Sequence, residues 1–290
     1  MATTIRGTNR ADRIEQNGRP DLNIHALGGN DTVILDRDDD LGGGNFVDAG
    51  AGNDKVVNTF EGGNRIKLGS GNDTYVGTGF DLTFADRVDG GNGNDRFFVQ
   101  TNLSTYIGGT RNYKIFTNGH KNDFIGGQGI DTISYEFRHE DFAVGNEGVT
   151  ISLGEQGALT GSKSLEELIS IENAIGSLNS DIVAGSGGNN RLFGLAGDDD
   201  LHGLGGRDIL SGGLDKDFLF GGAGADRFVF ARTNESPFGD ADEIKDFSHA
   251  AGDRIDLLAI DANRDRGGNQ AFEFIGSNAF SGDGGEIRMI

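Results

Sequence analysis

The 290-residue sequence has no cysteine, no tryptophan, two prolines and two methionines. Without cysteine, no disulfide can hold a fold together and thiolate metal centres are excluded. Five scattered histidines offer little to a soft metal. Two prolines rule out a proline-rich linker. Positive charge is also scarce: 25 Lys and Arg stand against 46 Asp and Glu, a formal net charge of −21. This excludes a general nucleic-acid binder, which needs a basic face, and argues against charge-driven attachment to anionic membranes. Such a chain repels itself unless cations neutralise it. No stretch approaches the ~20 apolar residues of a membrane span. The opening Met1-Ala2-Thr3-Thr4-Ile5-Arg6-Gly7 has no signal-peptide apolar core.

Glycine is what the chain has in excess, 51 of 290 residues. That composition alone favours disorder, but the order of the residues reverses the reading. From 176 to 230 an acid or amide recurs every nine positions, at Asp181, Asn190, Asp199, Asp208, Asp217 and Asp226. Two positions after each stands an apolar residue: Val183, Leu192, Leu201, Leu210, Leu219 and Phe228. Glycine-rich turns precede them. The same phase runs through the N-terminal half at Asp31, Asp54, Asp73, Asp95 and Asp131, with Asn45, Asn64 and Asp86 nine residues before Asp54, Asp73 and Asp95. Gly7 to Ile14 reads as a degenerate first repeat.

A short strand with one inward apolar side chain, then a tight glycine turn, is the unit of a parallel coil. Two repeats close one coil of 18 residues, so Asp199 lies over Asp217 and Asp208 over Asp226. Stacked strands sit about 4.8 Å apart, and like charges that close raise each other's pKa unless a cation intervenes. The ligands offered are carboxylates and turn carbonyls, hard oxygens that suit Ca²⁺. The candidate metal ligands are Asp31, Asp54, Asp73, Asp95, Asp131, Asp181, Asn190, Asp199, Asp208, Asp217 and Asp226. The turn glycines Gly90, Gly93, Gly126, Gly129, Gly194, Gly197, Gly203, Gly206, Gly212, Gly221 and Gly224 join them. Asn45 and Asn64 bring an oxygen but no charge, so their edge is expected to bind weakly or not at all. The expected fold is all-β: a right-handed parallel β-roll or β-helix of nine-residue Gly/Asp repeats, in two rolls with a β-rich C-terminal cap. The expected divisions are an N-terminal roll at 1–135, a connecting segment at 136–175, a second roll at 176–230 and a cap at 231–290.

The pattern Gly-Gly-x-Gly-x-Asp-x-apolar-x is complete at 90–98, 126–134 and 221–229, and partial at 49–57, 68–76, 194–202, 203–211 and 212–220. On these residues the chain resembles the RTX (repeats-in-toxin) calcium-binding family. Asp242 to Phe247 and Gly252 to Leu257 resemble the cap after the roll of serralysin-type proteases. The resemblance implies several Ca²⁺ ions, calcium-induced folding and an extracellular location. It also implies type I secretion machinery reading a C-terminal export signal, which makes 231–290 a cap and secretion region. It leaves three roles open: a structural or adhesive, surface-associated protein contacting extracellular polysaccharide; a non-catalytic module of a secreted protease, lipase or polysaccharide-modifying enzyme; or a repetitive face for glycan or ice.

Other clusters carry less. His139-Glu140-Asp141 lacks the second histidine of a zinc-protease helix. Asp38-Asp39-Asp40 reads as a solvated loop. Glu166, Glu167 and Glu172 read as surface carboxylates rather than a glycosidase pair, and Ser164-Leu165-Glu166-Glu167 as a capping box opening one helical turn. Ser134 and Ser152 have no partners for nucleophilic chemistry. Phe97 and Phe228 are expected inward, while Tyr106 and Tyr113 are candidates for a sugar-facing surface. No catalysis is expected.

Overall fold

A computed structural model describes residues 2–36, 43–59, 62–77, 86–99, 122–137, 148–154, 157–160, 164–237, 239–261, 272–274 and 286–287. Strands of two to seven residues alternate between two walls, because each glycine turn reverses the chain after one or two inward side chains. The first wall runs Thr3–Arg6, Leu22–His25, Phe46–Ala51, Arg65–Ser70, Arg87–Asn92 and Asp123–Gln128. It continues through Ser164–Ile169, Gly157–Thr160, Val149–Ser152, Ile182–Ser186, Asp200–Gly206, Phe218–Phe220 and Glu243–Ile244. The second wall has 11 strands, from Arg13–Glu15 through Thr32–Leu35, Lys55–Asn58, Thr74–Gly77, Arg96–Val99, Thr132–Ser134, Asn173–Ile175, Arg191–Ala196, Ile209–Leu214 and Arg227–Val229 to Arg254–Asp256. Neighbouring strands are parallel except around Gly157–Thr160. This is the expected parallel β-roll.

Register follows the nine-residue phase. Ile182 pairs Asp200, which pairs Phe218; Arg191 pairs Ile209, which pairs Arg227. One apolar cluster fills the space between the walls, from Ile14 and Leu22 to Leu219 and Phe228. Phe97 and Phe228 are fully buried, as alternation requires.

The walls are unequal at one level. In the second wall Thr132–Ser134, Asn173–Ile175 and Arg191–Ala196 are immediate neighbours. In the first, Gly157–Thr160 and Val149–Ser152 are inserted between Ser164–Ile169 and Ile182–Ser186. Two extra strands at about 4.8 Å each lengthen that wall by roughly 10 Å. At this level a cleft of about 370 Å³ opens on the outside of the second wall, lined by Arg96, Phe98, Glu136, Ile175, Arg191 and Phe193 among others.

The helical turn expected at Ser164 to Glu167 is instead part of a strand. Glu166 and Leu168 are buried and Glu167 is exposed. That two-residue alternation, paired to Asp123–Gln128 on one side and Gly157–Thr160 on the other, outweighs a local capping pattern. In the tail, Glu243–Ile244 and Arg254–Asp256 extend the two walls, and Glu273–Phe274 pairs Glu286–Ile287. Asp38 to Asp40, Tyr106, Tyr113 and His139 to Asp141 lie outside the described residues.

Candidate metal centre

Every acid singled out by the nine-residue phase sits at the entrance to a strand, with its side chain turned under the coil. Along the second wall one carboxylate oxygen of each accepts the backbone N–H of its counterpart one coil earlier. Asp12 N–H donates to Asp31 Oδ1 at 2.8 Å, Asp31 to Asp54 at 2.7 Å, Asp54 to Asp73 at 2.7 Å, Asp73 to Asp95 at 2.8 Å and Asp95 to Asp131 at 2.7 Å. Asp131 donates to Glu172 at 2.9 Å. The series resumes with Asn190 to Asp208 at 2.7 Å, Asp208 to Asp226 at 2.9 Å and Asp226 to Asp253 at 3.0 Å. The first wall has its own ladder. Leu22 donates to Asn45, Asn45 to Asn64 and Asn64 to Asp86, and further on Asp181 donates to Asp199, Asp199 to Asp217 and Asp217 to Asp242.

The other oxygen has no such role. Oδ2 of Asp31, Asp54, Asp73, Asp95, Asp131, Asp199, Asp208, Asp217 and Asp226 is buried without a hydrogen-bond partner among the described residues. A buried carboxylate oxygen with no donor is costly. The pKa values register that cost: Asp199 is pushed up to about 9, and Asp73, Asp208 and Asp217 to about 7. In each, burial is the largest cause and neighbouring carboxylates contribute less. The stacked charge expected from the spacing contributes as well, but burial of the unpartnered oxygen contributes more.

The glycines divide into two kinds. Gly93, Gly129, Gly197, Gly206 and Gly224 have positive φ, and a Cβ on Gly93 would also strike the Gly71 carbonyl of the coil before. Asp215, at the same place in its turn, adopts φ 72° and accepts the Gly197 N–H at 3.1 Å. Gly90, Gly126, Gly194, Gly203, Gly212 and Gly221, five residues before an acid, have ordinary φ but no room. At Gly221 a Cβ would lie 2.6 Å from Asp226 Oδ2. At Gly90 and Gly194 it would meet both the turn's own Asp Oδ2 and the carbonyl of the next coil's glycine, Gly126 or Gly212, each of these carbonyls 2.6 Å away. Space kept open by glycine and bordered by an unpartnered carboxylate oxygen and turn carbonyls fits a hard cation. No group of three or more His, Cys, Asp or Glu converges among the described residues, so most of the oxygens would come from the backbone.

Not every candidate has a spare oxygen. Asp181 accepts from Val149 N–H at 2.6 Å and from Ser177 N–H and Oγ at 2.5 and 2.8 Å. Asn190 Oδ1 accepts from Ser186 N–H at 2.7 Å, while its Nδ2 donates to the Glu172 carbonyl. Asp12, Asp86, Glu172, Asp242 and Asp253 belong to the ladders but are absent from the sequence-derived ligand set. The signal was legible in Asp12-Arg13-Ile14, which keeps Gly7 five residues earlier, and in Asp242-Glu243-Ile244 and Asp253-Arg254-Ile255, which repeat the acid-x-apolar unit without that glycine. Glu166 and Glu172 serve separate contacts: Glu166 accepts the buried Tyr135 hydroxyl, and Glu172 accepts the Asp131 N–H.

Residues 124–290 match the family model for the peptidase M10 serralysin C-terminal region. The chain belongs to that family. The serralysin C-terminal region is a non-catalytic repeat domain of RTX type that binds Ca²⁺ in its roll. No curated protein matches the chain. In this serralysin-type roll no described helix is long and apolar enough to cross a membrane.

Proposed function

We propose that the chain is a calcium-dependent structural module of a secreted protein, in which Ca²⁺ neutralises the buried edge carboxylates and completes the fold. The observation that carries this is the row of buried, unpartnered Asp Oδ2 atoms beside glycine-held space. Asp95, Asp131, Asp199, Asp208, Asp217 and Asp226 would hold the ions with turn carbonyls, and the ions would supply the positive charge that the −21 chain lacks. Proteins of this family are secreted; type I export and a surface-associated, adhesive role for this chain are part of the proposal. So is the division into rolls at 1–135 and 176–230, a connector at 136–175 and a cap at 231–290. Circular dichroism of the full chain in chelator and in millimolar calcium tests the reading. A large gain of β-signal with calcium, at roughly 10⁻⁴–10⁻³ M as for extracellular modules, is expected; identical spectra refute it.

A second reading concerns the outside of the second wall. Its strands from Thr32–Leu35 to Arg227–Val229 contain no Asp or Glu, but carry Lys55, Arg96, Arg191 and Arg227. Arg96 and Arg191 flank the cleft with Phe98 and Phe193 and have no ion-pair partner among the described residues. In so acidic a protein this face suits a carboxylated extracellular polysaccharide, guanidinium on carboxylate and ring on sugar. Retardation of the calcium-loaded protein in a gel holding a polyuronate, but not a neutral glycan, and its loss in Arg96→Ala/Arg191→Ala, is the expected result; equal mobility in both gels refutes it.

A further inference from the structure

Resting on the calcium reading, we infer that metal loading is confined to the coils from Asp95 onward, and that the preceding coils, through Gly77, fold without it. The difference lies five residues before each acid. Asp95, Asp131, Asp199, Asp208, Asp217 and Asp226 have glycine there; Asp31, Asp54 and Asp73 have Ala26, Ala49 and Leu68. Asp12 also has a glycine there, Gly7, but its Oδ2 is already taken, accepting from the Thr8 N–H and Oγ1. The side chains of Ala26, Ala49 and Leu68 are fully buried members of the apolar core. They occupy the inward position where, in the glycine turns, a Cβ would overlap the carboxylate and crowd the neighbouring carbonyl. The space that a cation would use is therefore filled with hydrocarbon in the early coils.

The same substitution gives these coils another source of stability. In the first wall, Ile24 and Ala26, Val47 and Ala49, and Ile66 and Leu68 bury two apolar side chains per strand. The corresponding later pairs are Leu201 with Gly203 and Leu219 with Gly221, one apolar side chain each. Each early coil therefore buries apolar surface at a position where the later coils have glycine, most of all at Leu68. The turns are also tied by an uncharged outer ladder: Asn53 N–H donates to Asn30 Oδ1, and Asn72 N–H to Asn53 Oδ1, each at 2.9 Å. The early acids still carry a buried, unpartnered Oδ2, but the space beside it is taken by the apolar side chains of Ala26, Ala49 and Leu68. The family match begins at residue 124, beyond these coils.

Hydrogen exchange on the full chain, metal-stripped and at saturating calcium, tests the inference. Peptides within 22–36, 43–59 and 62–77 should be protected in both states and change less than threefold. Peptides within 90–99, 122–134 and 191–229 should slow by tenfold or more with calcium. Equal calcium-driven gains in the two sets of peptides overturn the inference while leaving the calcium reading intact; no gain anywhere overturns both. Calcium stoichiometry provides the second measurement. Asp54→Asn should leave it unchanged and Asp208→Asn should lower it. Loss of an ion from Asp54→Asn overturns the assignment, and the exchange experiment on the unaltered chain decides even where a variant fails to fold.

Discussion

Asp199 and Asp208 each face two demands. One oxygen must accept a backbone N–H of the coil before, and the other is buried with nothing to accept. Protonation relieves the second demand at low pH, and the proposed cation would relieve it at high pH. The folded-state pKa is raised by burial, to about 9 for Asp199 and about 7 for Asp208 and Asp217. An acid with a raised folded pKa binds more protons folded than unfolded, so metal-free stability falls as pH rises from about 4 through these values. On the calcium reading the ion would displace the same protons, so its affinity should rise over the same range. Thermal melts of metal-stripped protein should give a higher Tm at pH 5 than at pH 8, with calcium reversing the order. A metal-stripped Tm that is higher at pH 8 would contradict the assignment of these carboxyls as uncompensated.

At the scale of the element, the acid-x-apolar unit combines a backbone ladder with the proposed cation site, and the two are separable. Asn45 and Asn64 perform the first: Leu22 N–H donates to Asn45 Oδ1 at 2.9 Å and Asn45 N–H to Asn64 Oδ1 at 3.1 Å. Asn45→Ala should thus destabilise the fold much as Asp208→Ala does without metal, by about 1–3 kcal/mol for a buried N–H left unsatisfied. The two should differ in calcium binding, which only Asp208→Ala lowers. Denaturant melts in chelator and calorimetric titration check the two halves of this statement. The ladder role was not legible in the sequence, because alternation and spacing place an acid at a coil edge but do not say which backbone group it meets. The capping pattern at Ser164 misled for a related reason: a local signal worth about 1 kcal/mol loses to a strand paired on both sides.

For the whole molecule, the ends of the stack are the exposed liability, since the terminal coil has no neighbour. At the C-terminal end Asp242 and Asp253 continue both ladders, Asp246 accepts the N–H groups of Gly221 and Gly222 at 2.8 Å, and Phe247 lies against Phe228 with ring centroids 6.2 Å apart. Removing 231–290 should uncover Leu219 and Phe228 along with the strand edges, raise the calcium needed for folding and cause self-association of the folded form. Circular dichroism across a calcium titration and light scattering measure these two effects. A truncated chain that folds at the same calcium level and stays monomeric shows that the tail is no cap.

The sequence by itself determined the architecture, since a nine-residue phase of acid, apolar residue and glycine turn has one economical solution, a parallel coil with carboxylates at its edges. Leu192, Leu201, Leu210, Leu219 and Phe228 could be placed inside before any coordinates, because strand side chains alternate. Only the tertiary structure decided that the walls are unequal, since Val149–Ser152 and Gly157–Thr160 enter the first wall by long-range pairing that no period encodes. It alone decided which carboxylates have space beside them. The residue five positions before each acid is written in the sequence, but that a Cβ there would fall on the carboxylate, 2.6 Å from Asp226 Oδ2 at Gly221, becomes visible only in the folded coil.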